Sequence, residues 1–354
     1  MEFNILWSWS LWTQIAQKLA KKNPEVKFNL ITRDVSKFYW KKLEGNLSIK
    51  WYDEPVKTWS PCLICVACDE KSIISELKSK WVTNISRFSV AEGNIAILKE
   101  MLPYISKLDS SFILVLTNPI ESMMRYLSAN LDSKKIYWLW LDLDSRRTKA
   151  AIQMLTGEDT ISVVSGWNHS VMPVPLISKI VSSKIWKITF AEIKKNIQKC
   201  KTYTYKKNDI DLTTEFLKEY KKKHPGYIEN APIKWEEIYD MIAIMQHLLI
   251  RSEFEWAKPP VDHPRDSVTS TIDMILKWQD ANVSYIDWNS NIRWGLVNID
   301  KRWIWEKKYI ARSKYELKLE ELSQETLINN LPPNKKDNAN KLIAIQARPK
   351  VKLR

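Results

Sequence analysis

"NILWSWSLWTQIA", residues 4–16, holds a short apolar run, three tryptophans spaced W-x-W-x-x-W, and the start of a helix. The apolar run reads as a strand. The stretch after it, "TQIAQKLAKKNPE", sets Ile15 with Leu19 and Ala16 with Ala20 on one face, and Pro24 stops it. A second strand, "VKFNLIT", ends at Thr32. Strand, turn, helix and strand make a βαβ unit, and its first turn is where G-x-G-x-x-G belongs in a dinucleotide fold. Glycine there lets the backbone approach a diphosphate, which then rests on the helix N-terminus. Trp7, Trp9 and Trp12 occupy the three glycine places, and the bulkiest residue cannot do the work of the smallest.

The composition carries the same contradiction. The chain has six glycines in 354 residues, against a usual share of roughly 7%. It has 18 tryptophans, and counting them as glycines restores the ordinary share. They recur at turn-like places: "SNIRWG", "VSGWNHS", "FYWKKLEGN" and "KTWSP". Such places call for positive φ or close backbone approach, which glycine supplies at least cost. The expectation is that many of these tryptophans, up to all, stand for glycine. A UGA codon, which some bacterial lineages read as glycine, would give this pattern if written as tryptophan. The alternative takes the rings as genuine; indoles then fill the turn, and the fold serves as a catalytically inactive scaffold or binding subunit.

The length allows two domains of ordinary size. No apolar run is long enough to span a bilayer, so no membrane association is expected. Met1 to Leu6 show no pattern of a secretory leader. Four cysteines do not make a disulfide framework in a chain this long, so a reducing cytoplasm is the expected compartment. Three of them lie in "CLICVAC", residues 62–68. No fourth follows at iron–sulfur spacing, so this is buried-strand material and no metal is expected. The net charge of +14 is spread along the chain, with a concentrated basic stretch only in the tail. That favours attraction for anionic metabolites and not nucleic-acid binding.

Two further strands, "FILVLTNP" and "KIYWLWL", extend the alternating strand–helix pattern to Leu141. The expected fold class is α/β: a Rossmann-type parallel sheet domain over 1–141, followed by an α+β substrate or catalytic domain over 142–331. In that second part come the helices "DLDSRRTKAAIQML", "WEEIYDMIAIMQHLLIR" and "DSVTSTIDMILKW", hairpin-like strands "VSYIDW" and "RWGLVNID", and an amphipathic helix from Ser313 to Leu331. Residues 332–354 read as a basic, poorly ordered tail. Twenty residues beyond Trp12 stands Thr32, followed by Arg33, where an NAD-type fold has an acid for the ribose hydroxyls. Arg33 would suit a 2′-phosphate, so NAD and NADP both stay open.

Four segments follow in order: "SRFSVAEGN" (86–94), "LTNP" (116–119), "LDLDSRRTK" (141–149) and "GWNHSVMPVP" (166–175). In these the chain resembles the lactate/malate dehydrogenase family, NAD(P)-dependent enzymes of L-2-hydroxy acids, over roughly residues 3–330. The family's G-x-G-x-x-L-D-s-x-R falls on Trp138, Trp140, Leu143, Asp144, Ser145 and Arg147. Its G-x-H-G-x-x-x-x-P falls on Trp167, His169, Ser170 and Pro175, with Ser170 in place of a glycine. Arg87 precedes Asn94 by the family's interval, with Val90 for leucine, and Asn118 is the asparagine of T-N-P. Trp40 falls where these enzymes often have glycine.

The resemblance implies roles. His169 would be the base that takes the hydroxyl proton, suited by a pKa near working pH. Asp144 would orient its imidazole, Arg147 would clamp the substrate carboxylate bidentately, and Asn118 would hydrogen-bond the substrate oxygen. Arg87, on a closing loop, would polarise the carbonyl. Trp7, Trp9, Trp12, Thr32, Arg33 and Asn94 would meet the cofactor. A small 2-hydroxy or 2-keto acid is the implied substrate, and a homodimer or homotetramer the implied assembly. The segment before Arg87, "DEKSIISELKSKWVTNIS", differs from the family pattern, and Lys78 or Lys80 in it would serve as a second cation for a dicarboxylate. Lactate, malate and other 2-keto acids stay open. Asp142 and Arg146 fall on other helix faces and are expected in solvent, and His224, His247 and His263 have no such context.

Overall fold

The computed structural model describes residues 1–7, 11–38, 43–52, 54–68, 70–79, 90–158, 165–166, 174–175, 188–199, 212–228, 230–231, 233–255, 264–286, 292–299, 305–308 and 318–319. Six strands run parallel: β1 (Glu2–Trp7), β2 (Lys27–Thr32), β3 (Leu47–Trp51), β4 (Cys62–Cys65), β5 (Ile113–Val115) and β6 (Ile136–Trp138). Their order across the sheet is β3-β2-β1-β4-β5-β6. This is the doubly wound, Rossmann-type arrangement, in which strand addition reverses direction between β1 and β4. A two-stranded ribbon, β7 (Ser165–Gly166) with β8 (Val174–Pro175), stands apart. The antiparallel strands β9 (Ala281–Ile286), β10 (Ile292–Ile299) and β11 (Trp305–Lys308) then extend the main sheet beyond β6.

The helices are α1 (Leu11–Lys22), α2 (Glu70–Ser79), α3 (Ala91–Lys107), α4 (Ile120–Ser128), α5 (Trp140–Thr156), α6 (Phe190–Lys199), α7 (Leu212–Lys223), α8 (Trp235–Glu255) and α9 (Pro264–Leu276). The central strands are apolar on consecutive residues, as strands covered on both faces must be. Ile5, Leu6, Leu30, Ile31, Leu63, Ile64, Leu114 and Val115 are all sealed. On α1 the predicted stripe of Ile15, Ala16, Leu19 and Ala20 is buried. Its end is fixed by Asn23, whose backbone and side-chain N–H groups both donate to the Leu19 carbonyl, at 2.9 and 3.1 Å. The start of α6 has a reciprocal cap: the Thr189 N–H donates to Glu192 Oε2 at 2.8 Å, and the Glu192 N–H to Thr189 Oγ1 at 3.3 Å.

Two cores form. The first joins the parallel sheet with α3, α4, α9 and β9, and includes Leu98, Met124, Ile272 and Val283. The second gathers the end of α5 with α6, α7 and α8 around Ile152, Phe216, Tyr220 and Ile242. Helix α5 serves both, giving Leu143 to the first and Ala151, Ile152, Met154 and Leu155 to the second.

Three local expectations need correction. The run "KIYWLWL" is not one strand to Leu141: β6 ends at Trp138 and α5 starts at Trp140. A short, wholly buried apolar run looks the same in either conformation. The stretch preceding Arg87 holds α2 over Glu70–Ser79, and β3 was not foreseen because it is a half-buried edge strand. Asp142 and Arg146 are not simply solvated. Arg146 Nε donates to Asp142 Oδ2 at 2.7 Å, and Ser267 Oγ donates to the same oxygen at 2.9 Å, tying α5 to α9.

Candidate active site

In a doubly wound sheet, ligands gather at the carboxyl ends of the strands, beside the switch point. Here that edge is built by backbone groups held together by side chains. After β4 the chain turns through Val66 to Cys68. The Val66 N–H donates to Thr117 Oγ1 at 3.0 Å and the Cys68 N–H to Asn94 Oδ1 at 2.7 Å. Asn94 Nδ2 donates in turn to the Asn118 carbonyl. Asn94, in the first turn of α3 and only 4% exposed, thus braces the ends of β4 and β5. Thr117 was absent from the sequence reading, although the T-N-P motif displays it; its role shows only once β4 and β5 are neighbours. Gly93 permits this closeness, since a Cβ there would lie 3.0 Å from Cys68 Sγ and from Ile73 Cδ1.

Asn118 follows β5, and its peptide bond to Pro119 is cis. Its side-chain Oδ1 is buried without a hydrogen-bond partner among the described residues. Thr13, in the first turn of α1 at the carboxyl end of β1, is 2% exposed, and its Oγ1 is orphaned in the same way. Buried polar atoms of this kind cost free energy unless something else satisfies them.

Helix α5 leaves the neighbouring strand β6 and carries Asp144 and Arg147 one turn apart. Their charged groups lie 3.8 Å from each other, with the residues 1% and 7% exposed. A guanidinium this enclosed is held by opposite charge, because desolvation of an unpaired ion would be prohibitive. At the head of α5, Trp138 and Trp140 are buried, and the Trp140 indole N–H donates to the Leu116 carbonyl at 3.0 Å.

At the end of β2, Thr32 is buried and its hydroxyl accepts from the Asp34 N–H at 3.2 Å. Arg33 Nη1 reaches Glu100 Oε2 on α3 at 2.7 Å, in an exposed pair. Lys78 lies in the last turn of α2. Trp7 ends β1, Trp12 lies in α1, and Pro175 lies in β8. Trp9, Trp40, Lys80, Arg87, Trp167, His169 and Ser170 lie outside the described residues, as do the tail and all but 318–319 of the predicted last helix. Among the described residues no group of acids, histidines and cysteines could hold a metal ion, and no helix is long and apolar enough to cross a membrane.

Neither a family model nor a curated protein matches the sequence. Solved structures do match in fold. The malate dehydrogenase of Plasmodium falciparum superposes with a TM-score of 0.60 at 15% identity, covering 97% of this chain and 99% of that one. Malate dehydrogenase of Cryptosporidium parvum gives 0.59 at 14%, covering 96% and 99%. Lactate dehydrogenase of Cryptosporidium parvum, solved with lactic acid and nicotinamide adenine dinucleotide, gives 0.59 at 13%, covering 98% of each chain. The fold of the described residues is therefore similar to that of lactate and malate dehydrogenases.

Proposed function

We propose that this chain is an NAD(P)-dependent oxidoreductase that interconverts an L-2-hydroxy acid and its 2-keto acid, of lactate or malate type. Residues 1–141 would serve the dinucleotide and residues 142–331 the substrate, in a cytoplasmic homodimer or homotetramer. The observation that carries the reading is the buried Asp144–Arg147 pair, set on the helix that leaves the carboxyl edge of a doubly wound sheet. The orphaned Thr13 Oγ1 and Asn118 Oδ1 at that same edge fit a polar ligand. The Arg33–Glu100 pair is exposed and so weak; a 2′-phosphate would compete for Arg33, and a 2′-hydroxyl would leave the pair intact.

Bound NAD(P) would supply the hydride acceptor or donor. His169 takes the proton of the substrate hydroxyl in oxidation and returns it in ketone reduction. Asp144 fixes the imidazole and stabilises its charged form. Arg147 holds the substrate carboxylate with its two-pronged fork and so presents the reacting carbon in one orientation. Arg87 stabilises charge developing on the carbonyl oxygen, and Asn118 hydrogen-bonds the same oxygen. Asn94 braces the strand ends on which Asn118 stands.

Protein isolated from its own cells should bind NADH or NADPH, and should oxidise it with one of pyruvate, oxaloacetate or a longer 2-keto acid. His169→Asn should bind cofactor with little change and lose turnover. Failure of both cofactors to bind the natural protein would overturn the reading.

A further inference from the structure

Helix α9 ends on a defined backbone path. The Gln279 N–H donates to the Met274 carbonyl at 2.9 Å and the Trp278 N–H to the Ile275 carbonyl at 3.2 Å, with Trp278 at φ 60°. This pair of bonds closes a helix through one residue in the left-handed region, a place taken mostly by glycine. At positive φ a Cβ crowds the following carbonyl, and for a bulky side chain the conformation is a real outlier. The chain supplies its own comparison. Helix α5 also ends on a left-handed residue, with the N–H at φ 74° donating to the Gln153 carbonyl at 2.7 Å, and that residue is Gly157.

Trp59 is a second case. It stands at φ 61° in "KTWSP" between β3 and β4, its N–H donates to the Asp109 carbonyl at 3.2 Å, and it is 63% exposed. Its ring is mostly in solvent, with the Lys135 ammonium 5.1 Å from the centroid. Burial therefore does not offset the backbone cost. Among the described residues three non-glycines have positive φ: Asp109, a type that tolerates it, and these two tryptophans. In a chain with six glycines and 18 tryptophans, backbone and composition point the same way.

We propose that the polypeptide carries glycine at positions 59 and 278, at codons the cell decodes as glycine and the written sequence renders as tryptophan. The proposal rests on the backbone at these two positions and not on the oxidoreductase reading. The same decoding at Trp7, Trp9 and Trp12 would restore G-x-G-x-x-G in the first βα turn.

Lys57 and Lys277 place both residues near the start of tryptic peptides. Tandem mass spectrometry of the protein from its source cells should read glycine at 59 and 278, and UGA should stand at both codons. Indole masses there, or UGG codons, would overturn the proposal. Trp59 also allows a test on recombinant chains that needs no source cells, since its exposed ring leaves little packing to lose. Trp59→Gly should raise the melting midpoint by about 1–3 °C, and Trp59→Ala, which keeps the Cβ, should not match it. A fall on Trp59→Gly, or an equal rise with alanine, would count against glycine at 59. The peptide masses decide the matter even if the written chain does not fold.

Discussion

The Asp144 carboxylate and the Arg147 guanidinium sit 3.8 Å apart on one face of α5, nearly sealed from water. Spacing on one helix turn sets this pair, and burial sets its energetics. Removing one member takes the nearest opposite charge from the other at a buried place, which costs up to about 3–5 kcal/mol. Asp144→Ala should therefore lose stability on that scale in urea unfolding. A loss below about 1 kcal/mol would mean that water reaches the pair.

Arginine and lysine differ here in geometry more than in charge. Arg147→Lys keeps the cation opposite Asp144 and loses the planar fork. If Arg147 clamps a substrate carboxylate, kcat/KM for the 2-keto acid should fall by about 10²-fold with the far-ultraviolet circular dichroism unchanged. Near-normal kinetics in the lysine variant would assign Arg147 a structural role only.

Asn94 joins two strand ends through a single carboxamide, accepting from the Cys68 N–H and donating to the Asn118 carbonyl. Asn94→Ala takes this partner from two half-buried backbone groups, at up to about 1–3 kcal/mol each. Hydrogen exchange at the Cys68 amide should accelerate with the loss of stability. If that amide keeps its protection, the brace is not what holds the turn.

How much of this was readable from sequence follows from the range of each signal. β1, α1 and β2 were legible because an apolar run and a helical stripe are local patterns, and Ile15, Ala16, Leu19 and Ala20 are buried as read. β3 was not, since "LSIKW" on the sheet edge is half-buried and carries no clear alternation. The pairing of β9 on β6 unites distant segments, which no local pattern encodes. The same holds for Ser267 on Asp142, which drew a pair expected in solvent into the contact between α5 and α9. At the site, Asp144 and Arg147 were legible as neighbours on a helix. The brace through Asn94 and the Thr117 hydroxyl became visible only when β4 and β5 lay side by side.

The three described cysteines should differ in reactivity. Burial pushes the thiols of Cys62 and Cys65 well above the ordinary range, so neither forms a thiolate near neutral pH. Cys68, past the end of β4, is partly accessible. Iodoacetamide at pH 8 should modify Cys68 in the native protein and reach Cys62 and Cys65 only on unfolding. Modification of Cys62 or Cys65 as fast as Cys68 would contradict the burial of β4.

The reciprocal cap of α6 makes a pH prediction with a definite sign. Glu192 accepts first from the Thr189 backbone N–H and then from its hydroxyl, and these bonds hold its carboxyl below the ordinary 4.5. A depressed folded-state pKa means that the unfolded chain binds the proton more readily. The stabilisation is therefore complete above the unfolded-state value and fades as pH falls through the folded one. Carbon-detected titration should place Glu192 below 4.5, and Thr189→Ala should move it upward while the first turn of α6 gains amide exchange. An unchanged Glu192 titration in Thr189→Ala would show that the Thr189 hydroxyl adds nothing to the backbone N–H in holding that carboxylate.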